Sequence, residues 1–333
     1  MQAAGRCLVT GAGGFIGAAL VRGLAGEYAE VWRLLRPGTA RSADADGTVV
    51  PFTLTVDLAA EVPPLDRQPP FDAIFHLAGR AHQADRRATE NAEHERANVR
   101  VTENLLRAAT ANGARRIVFA SSVAAMGSAR AACLDESAPA APVSAYGRTK
   151  LVAEGRVLAV RASSGPEGVV LRFPLVYGPG QKGNLDRLLR AIVGGRFPPP
   201  PKIRNRRSVL HVDDAVAALR LAARHPAAAQ QLYLVCEHEP CSTRAIYEWS
   251  CEALGRGPAG WGVPAICWRG LGRAGDAAGK LLGRRVGFDS IAVERLLGDA
   301  WYTPARVEAE IGWRARHRLR EELPRLVEGY GRA

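Results

Sequence analysis

Paired cysteines are missing from this 333-residue chain. Its six cysteines, at 7, 133, 236, 241, 251 and 267, form no C-x-x-C pair and no Cys/His cluster with ligand spacing. That excludes a disulfide scaffold and a zinc module, and no metal is expected. Buried free thiols in a reducing cytoplasm are the default. Long apolar runs are also absent: none approaches the roughly 20 residues that span a bilayer, so stable membrane insertion is not expected. The opening MQAAGRCLVTG enters a strand pattern at once, and no signal peptide is expected. The net charge is +12, yet there is no basic tail and no basic run interleaved with aromatics. Nucleic acid is therefore not an expected partner. A positive field that draws in an anionic small ligand fits better. What is present is ordinary for a globular protein: 47% hydrophobic and 23% charged residues exclude disordered and fibrous classes.

The stretch RCLVTGAGGFIGAALVRGLAGEYAEVWRLLRPG reads as strand, glycine turn, helix, strand. Gly11, Gly14 and Gly17 stand three residues apart. Glycine there permits a tight turn, lets backbone N–H groups approach a pyrophosphate and lets the helix lie close to the strand. The second strand lacks a terminal acid for a ribose 2′-hydroxyl. Arg33 and Arg36 stand at or near that edge, where a guanidinium accepts a 2′-phosphate. NADP(H) is thus slightly favoured over NAD(H).

Further strands follow. One ends at Asp57, which either bonds the adenine amino group or caps a helix. Another, Ile74 to Leu77, opens into Ala78 and Gly79, small enough for backbone to pass close to a cofactor. His76 within it reads as a packed core residue, whereas His82 beyond it is a candidate substrate contact. Asn98 lies early in a helix that Gly113 ends, where a buried amide fixes backbone near the site. RIVFASS carries Ser121 and Ser122 to a strand's carboxyl end, where ligands bind in open parallel sheets. Strands alternating with helices predict an α/β fold: a Rossmann-type, doubly wound parallel sheet with a smaller mixed C-terminal substrate lobe. The expected boundaries are 1–177 for the dinucleotide-binding domain, with 208–236 returning to it, and 178–207 plus 237–333 for the lobe.

VSAYGRTKLVAEGRVLA places Tyr146 and Lys150 one helical turn apart, on one face. A lysine ammonium and a positive nicotinamide both favour the phenolate of a nearby tyrosine. Such a phenol exchanges a proton with a sugar or alcohol hydroxyl while hydride passes to or from the ring. Ser122 would hold the same oxygen, and Lys150 would reach the nicotinamide ribose.

TGAGGFIG, HLAG, ANVRVTENLLRAA, FASSVAAMG, YGRTK, LRFPLVYGPGQKGN and RRSVLHVDDAV occur in that order over residues 7 to about 220. In these pieces the sequence resembles extended short-chain dehydrogenase/reductases of the NAD-dependent epimerase/dehydratase branch, which act on nucleotide sugars. The resemblance implies Ser122, Tyr146 and Lys150 as the catalytic set. It places Gly11, Gly14 and Gly17 on the pyrophosphate, Asp57 near adenine, and Phe173 and Pro174 beside the nicotinamide. It extends the cofactor set to Phe15, Ile16, Leu58, Leu77, Ser121 and Val176. It implies sugar-nucleotide contacts at Val123, Asn184 and Arg207, with Arg204, Arg206 and Arg295 weaker candidates. One departure stands out: many epimerases of this type carry Tyr-Gly where this chain has Met126-Gly127.

In the second half, NLDRLLRAIVGG reads as a helix, and the prolines at 198–201 as an extended connector. His211 reads as structural, with Asp213 and Asp214 as helix caps. VPAICWRGLGRAGDAAGKLLGRR is apolar with basic residues at intervals; a core helix of the lobe is expected over a membrane-surface helix. The resemblance implies reduction at the 4-position of a 4-keto-6-deoxy UDP-sugar, of the UDP-N-acetylquinovosamine or fucosamine type. The alternatives are a UDP-hexose or UDP-N-acetylhexosamine 4-epimerase and, more remotely, a non-enzymatic NADP(H) sensor. A cytoplasmic homodimer serving surface-polysaccharide or lipopolysaccharide synthesis is the matching expectation.

Overall fold

A computed structural model describes residues 5–38, 52–80, 95–127, 132–181, 183–282 and 288–331. Seven parallel strands form its centre, in the order β3-β2-β1-β4-β5-β6-β9. They are β1 (Arg6–Thr10), β2 (Glu30–Leu35), β3 (Phe52–Thr55), β4 (Ala73–His76), β5 (Arg116–Ser122), β6 (Glu167–Phe173) and β9 (Leu232–Leu234). The strand order reverses between β1 and β4, where Thr10 pairs with His76. A crevice opens at such a switch point, outside the strands' carboxyl ends.

Helices cover both faces, as an all-parallel sheet requires. On one face α1 (Phe15–Leu24) and α5 (Val212–Arg224) pack Leu20, Leu24, Val216 and Leu219 onto Val9, Phe75 and Leu171. On the other, α2 (Val101–Asn112) and α3 (Ala145–Ala159) bring Leu105, Ala109, Ala153 and Val157 onto Leu8, Ile74 and Val170. Several of these side chains are wholly enclosed, and each such leucine contributes roughly 2 kcal/mol relative to exposure. Gly113 ends α2 in a left-handed conformation (φ 72°) with two capping hydrogen bonds.

The apolar run Val169 to Val176, which reads as a single strand, is divided between two. Pro174 lacks an N–H and ends the ladder of β6. The chain then enters β7 (Leu175–Tyr177), which pairs in parallel with β8 (Val209–His211) in a separate two-stranded sheet. Beyond it lie α4 (Asn184–Val193), α6 (Thr243–Ala253), α7 (Ala265–Leu281), α8 (Ser290–Leu297), α9 (Ala305–Ile311) and α10 (Leu319–Gly331). Leu185, Leu189, Ile246, Leu323 and Val327 join α4, α6 and α10 in a second core with Tyr177.

Three expectations are corrected here. The thiols of Cys133 and Cys267 are exposed, while the other four are buried. Asp213 and Asp214 do not cap α5. The His211 ring does, its Nδ1 accepting from the Asp213 N–H at 3.3 Å. Most of α7 is not core: only Trp268 and Gly272 along it are buried. Among the described residues no helix is long and apolar enough to cross a membrane.

Candidate active site

The glycine loop is built by close backbone packing. Gly11 has φ 70°, and a side chain there would strike the Leu77–Ala78 peptide, with the nearest atom at 2.6 Å. A side chain on Gly17 would meet the carbonyl of Gly11. The loop therefore folds tightly under α1 and against the end of β4. Gly14 is the N-cap of α1 and offers no side-chain acceptor, while Gly13 and Gly14 are exposed. The helix's first N–H groups thus face outward without a side-chain cap, which suits a pyrophosphate. Phe15 and Ile16, the first helical residues, are half-buried against the core.

The rest of the expected cofactor set is spread along the strand ends. Leu77 donates its N–H to the Thr10 carbonyl at 3.2 Å, and Ala78 to the Thr10 hydroxyl at 3.1 Å. Arg36 is exposed just beyond β2. Arg33, in contrast, is buried within β2, so it does not stand at the edge as expected. Asp57 accepts from the Ala59 N–H at 3.1 Å, a local turn bond that uses one carboxylate oxygen. Leu58 is buried in the core and its carbonyl receives the Asn104 amide at 2.8 Å. Phe173 is buried, and Pro174 and Val176 are half-buried at the β6–β7 break. These placements fit a dinucleotide laid across the carboxyl ends of β1, β2 and β4.

Tyr146 and Lys150 lie on α3, which begins when the Ser144 hydroxyl caps the Gly147 N–H at 3.1 Å. Ser122 ends β5 and hydrogen-bonds the Tyr146 phenol. Its oxygen also accepts from the Ala124 N–H at 3.2 Å. Burial pushes the phenol up to about 12, and the Ser122 bond opposes that rise. Lys150 is buried, donates to the Ala120 carbonyl at 3.0 Å and sits 4.4 Å from the Phe119 ring centre. Burial brings it down to about 8, and the Glu154 carboxylate acts against that fall. The expected lowering of Tyr146 by its neighbouring ammonium is not found: burial and the Glu154 carboxylate raise the phenol, only the Ser122 bond lowers it, and in the protein alone the phenol holds its proton.

Asn98 joins the two halves of this arrangement. It lies within a π-helical segment, Glu95–Arg100, that leads into α2. Its carbonyl oxygen accepts from the Arg80 N–H at 2.9 Å, and its NH₂ donates to the Thr149 hydroxyl at 3.0 Å. Gly79 passes beside it: a side chain there would sit 2.7 Å from Asn98 Oδ1 and 3.7 Å from Lys150 Nζ. The end of β4 and α3 are therefore locked together through one amide. His76 is a core residue, as expected. It bonds the Thr10 and Thr102 hydroxyls, and burial keeps it neutral, down at about 3.

Ser121 departs from the expectation of a cofactor contact. Its hydroxyl donates to Glu154 at 2.5 Å, on the buried side of α3. Glu154 also takes a bidentate bond from buried Arg172 on β6, at 3.0 and 2.7 Å. Neither Glu154 nor Arg172 was singled out from sequence. The available signal was the four-residue step: Tyr146, Lys150 and Glu154 form one stripe along α3.

The substrate candidates are less concentrated. Val123 is half-buried against Met126, which is itself buried with Leu234, Cys236 and Tyr302. Position 126 therefore belongs to a core in this chain. Arg207 donates to the Gly298 carbonyl at 3.2 Å, and burial lowers its basicity. Arg206 is exposed over the Trp301 ring, and Arg204 is exposed. Asn184 is exposed in the first turn of α4, and Arg295 lies in α8. His82 lies outside the described residues. His211 stacks on His317 with ring centres 4.2 Å apart. Stacked rings with Nδ1 of His211 already accepting a backbone bond read as packing and capping.

Comparison with known proteins decides the family. The NAD dependent epimerase/dehydratase family matches residues 7–236. The chain belongs to it. A UDP-glucose 4-epimerase of Vibrio cholerae is 27% identical, over 97% of this chain and 94% of that protein. A dTDP-6-deoxy-L-talose 4-dehydrogenase (NAD(P)(+)) of Kitasatospora kifunensis is 34% identical, over 54% of this chain and 55% of its own length. The solved structure of MoeE5 in complex with UDP-glucuronic acid and NAD superposes with a TM-score of 0.70 at 27% identity, covering 98% of this chain and 99% of that one. The chain is accordingly an NAD(P)-dependent enzyme, and its α/β Rossmann-type sheet is that of the family.

Proposed function

We propose that this enzyme reduces a 4-keto-6-deoxy UDP-sugar, with NADP(H) as its coenzyme. The observation that carries the reading is the Tyr146 phenol, hydrogen-bonded to Ser122 and held protonated by burial. A ketone that gains hydride becomes an alkoxide and needs a proton at once; a phenol that retains its proton supplies one. Ser122 orients the same oxygen, and Lys150, fixed on the Ala120 carbonyl, stands beside the phenol's turn of helix. Bound NADPH supplies the hydride. The exposed Arg36 beyond β2, in the absence of an acid there, supports NADP(H) over NAD(H).

Residues 1–177 with 208–236 serve as the dinucleotide-binding unit in this reading, and 178–207 with 237–333 as the sugar-nucleotide lobe. Asn184 and Arg207 hold the nucleotide sugar, with Arg207 as the desolvated cation for a diphosphate. Exposed Val143 and Val152, flanking and along α3, support pairing into a homodimer. A UDP-sugar 4-epimerase is the second reading, favoured by the Vibrio cholerae relative that matches nearly the whole chain.

The test is direct. Purified enzyme should oxidise NADPH when given a 4-keto UDP-sugar. Tyr146→Phe should lower turnover by about 10²-fold or more while NADPH affinity stays within about twofold. Turnover that survives in the variant would remove Tyr146 as the proton donor. Denaturing unsupplemented enzyme separates the two readings: stoichiometric NAD released favours the epimerase, whereas a site that fills only with added NADPH favours the reductase.

A further inference from the structure

The helix α7 is held to the molecule along one narrow strip. A side chain on Gly272 would meet Val293 at 2.9 Å and the Ser290 backbone at 3.1 Å. Gly275 lies directly against the Phe288 carbonyl. Trp268, on the same strip, packs between Phe197 and Phe288, with ring centres at 5.5 and 5.6 Å. Asp276 completes the seat by accepting from the Ser290 hydroxyl at 2.5 Å and its N–H at 3.2 Å. These contacts fix which face of α7 is inside, and therefore which face is outside.

The outer face is apolar. Ile266 is 77% exposed, Leu271 58% and Leu281 87%. Exposed Cys267 and Ala274 lie between them. At about 3.6 residues per turn, these five residues share one broad sector. Arg269, Arg273 and Lys280, all exposed, fall together in a narrow sector along one border of it. The helix's single acid, Asp276, lies next to that cationic border, outside the apolar sector, with its carboxylate bonded to Ser290. Trp261, 63% exposed, precedes the helix.

An apolar sector of this size, edged by cations and without an acid, is complementary to a surface that is greasy beneath and anionic above. A second copy of the chain, brought up by a two-fold axis that crosses α7 at right angles, would set the same cations against one another. The net charge of +12 adds a long-range attraction to an anionic sheet and a repulsion from another copy. We propose that α7 is a membrane-surface helix that seats the enzyme on an anionic phospholipid bilayer. Ile266, Leu271 and Leu281 enter the acyl boundary, and Arg269, Arg273 and Lys280 lie at phosphate level. The docking is peripheral, and it does not depend on which sugar the active site takes.

The experiment uses the full chain and sedimented vesicles of two kinds: phosphatidylcholine alone, and phosphatidylcholine with about one third phosphatidylglycerol. At low salt the protein should pellet with the anionic vesicles and stay in solution with the neutral ones. Ile266→Gln/Leu271→Gln/Leu281→Gln should lower partitioning at least about tenfold. Arg269→Glu/Arg273→Glu/Lys280→Glu should do so by a similar factor. Both variants should retain wild-type NADPH affinity, which reports a folded nucleotide domain. Should a triple variant fail to fold, Leu281→Gln alone, at the last and most exposed position, should still lower partitioning about threefold. The proposal is overturned if the protein remains soluble with both vesicles, or pellets equally with both. It is also overturned if the variants pellet like wild type, or if the glutamine variant merely converts a dimer to monomer, which would make a second copy the occupant.

Discussion

At the scale of single residues, Lys150 and Tyr146 carry opposite signatures of the same enclosure. Folded, Lys150 gives up its proton near 8; unfolded, it does so near 10.4. Between those values the unfolded chain binds more protons, so the Lys150 contribution makes stability rise with pH. Tyr146 works the other way. Its folded value is about 12 and its unfolded value about 10, so above pH 10 the folded state binds more protons and stability falls. Urea midpoints of wild type minus those of Lys150→Met should therefore climb between pH 8 and pH 10. Parallel profiles would show that Lys150 is not desolvated in the folded protein. The positions of both residues were legible in the sequence, because a four-residue step on a helix is a geometric statement. Their titration was not legible: it is set by Phe119, Ala120 and Glu154, which come from other turns and strands. Met126 shows the same limit, since only packing against Tyr302 and Cys236 tells that it is core.

At the scale of elements, the strap between α3 and β6 matters most. Glu154 and Arg172 are both almost fully buried and paired with one another, and the Glu154 carboxylate also takes the Ser121 hydroxyl and faces the Lys150 ammonium. Removing one partner leaves an uncompensated buried charge, which costs about 3–5 kcal/mol. Glu154→Gln should therefore lower unfolding free energy by about that amount. Glu154→Leu combined with Arg172→Met should recover much of it, because neither desolvated ion remains. A loss below about 1 kcal/mol in Glu154→Gln, read from urea unfolding, would mean that water reaches the pair. Elements of this kind were readable as periods in the sequence, whereas their partners were not. VVLRFPLVY looks like one apolar strand, and the break at Pro174 becomes visible only when β7 finds β8. The pattern of α7 likewise marks an amphipathic helix, but two faces of it are apolar. Sequence period cannot say which face meets the protein; the Gly272 and Gly275 contacts do.

At the scale of the whole molecule, the question is what joins the nucleotide-binding sheet to the C-terminal third. Asp214 is a large part of the answer. It is buried near the start of α5, and its carboxylate accepts from the N–H groups of Arg316 and His317 at 3.1 and 2.9 Å. The Asp214 carbonyl takes the Trp313 indole at 3.2 Å. Close by, Glu237 accepts from the Leu319 N–H at 3.3 Å, at the first residue of α10. One short segment is thus pinned to the sheet's covering helix before the chain enters the second core. Hydrogen bonds to a charged group contribute about 1.5–3 kcal/mol each. Asp214→Ala should then lower unfolding free energy by about 3 kcal/mol or more, and it should expose the segment 313–319 to proteolysis ahead of global unfolding. Asp214→Asn keeps one acceptor oxygen and should lie between the two. Cleavage that begins elsewhere, with 313–319 still protected in Asp214→Ala, would assign the junction to the apolar contacts of Trp313 instead. Burial of Glu237 brings its carboxyl up to about 7, so in the folded protein this second pin is half protonated near neutrality. Its folded value lies above the unfolded one, so the neutral form contributes stability that is complete below about pH 4 and lost as pH rises through 7. Glu237→Gln fixes the uncharged form. The difference in urea midpoint between that variant and wild type should therefore grow in the variant's favour from pH 6 to pH 8, and a difference that stays flat would place the Glu237 titration outside that range.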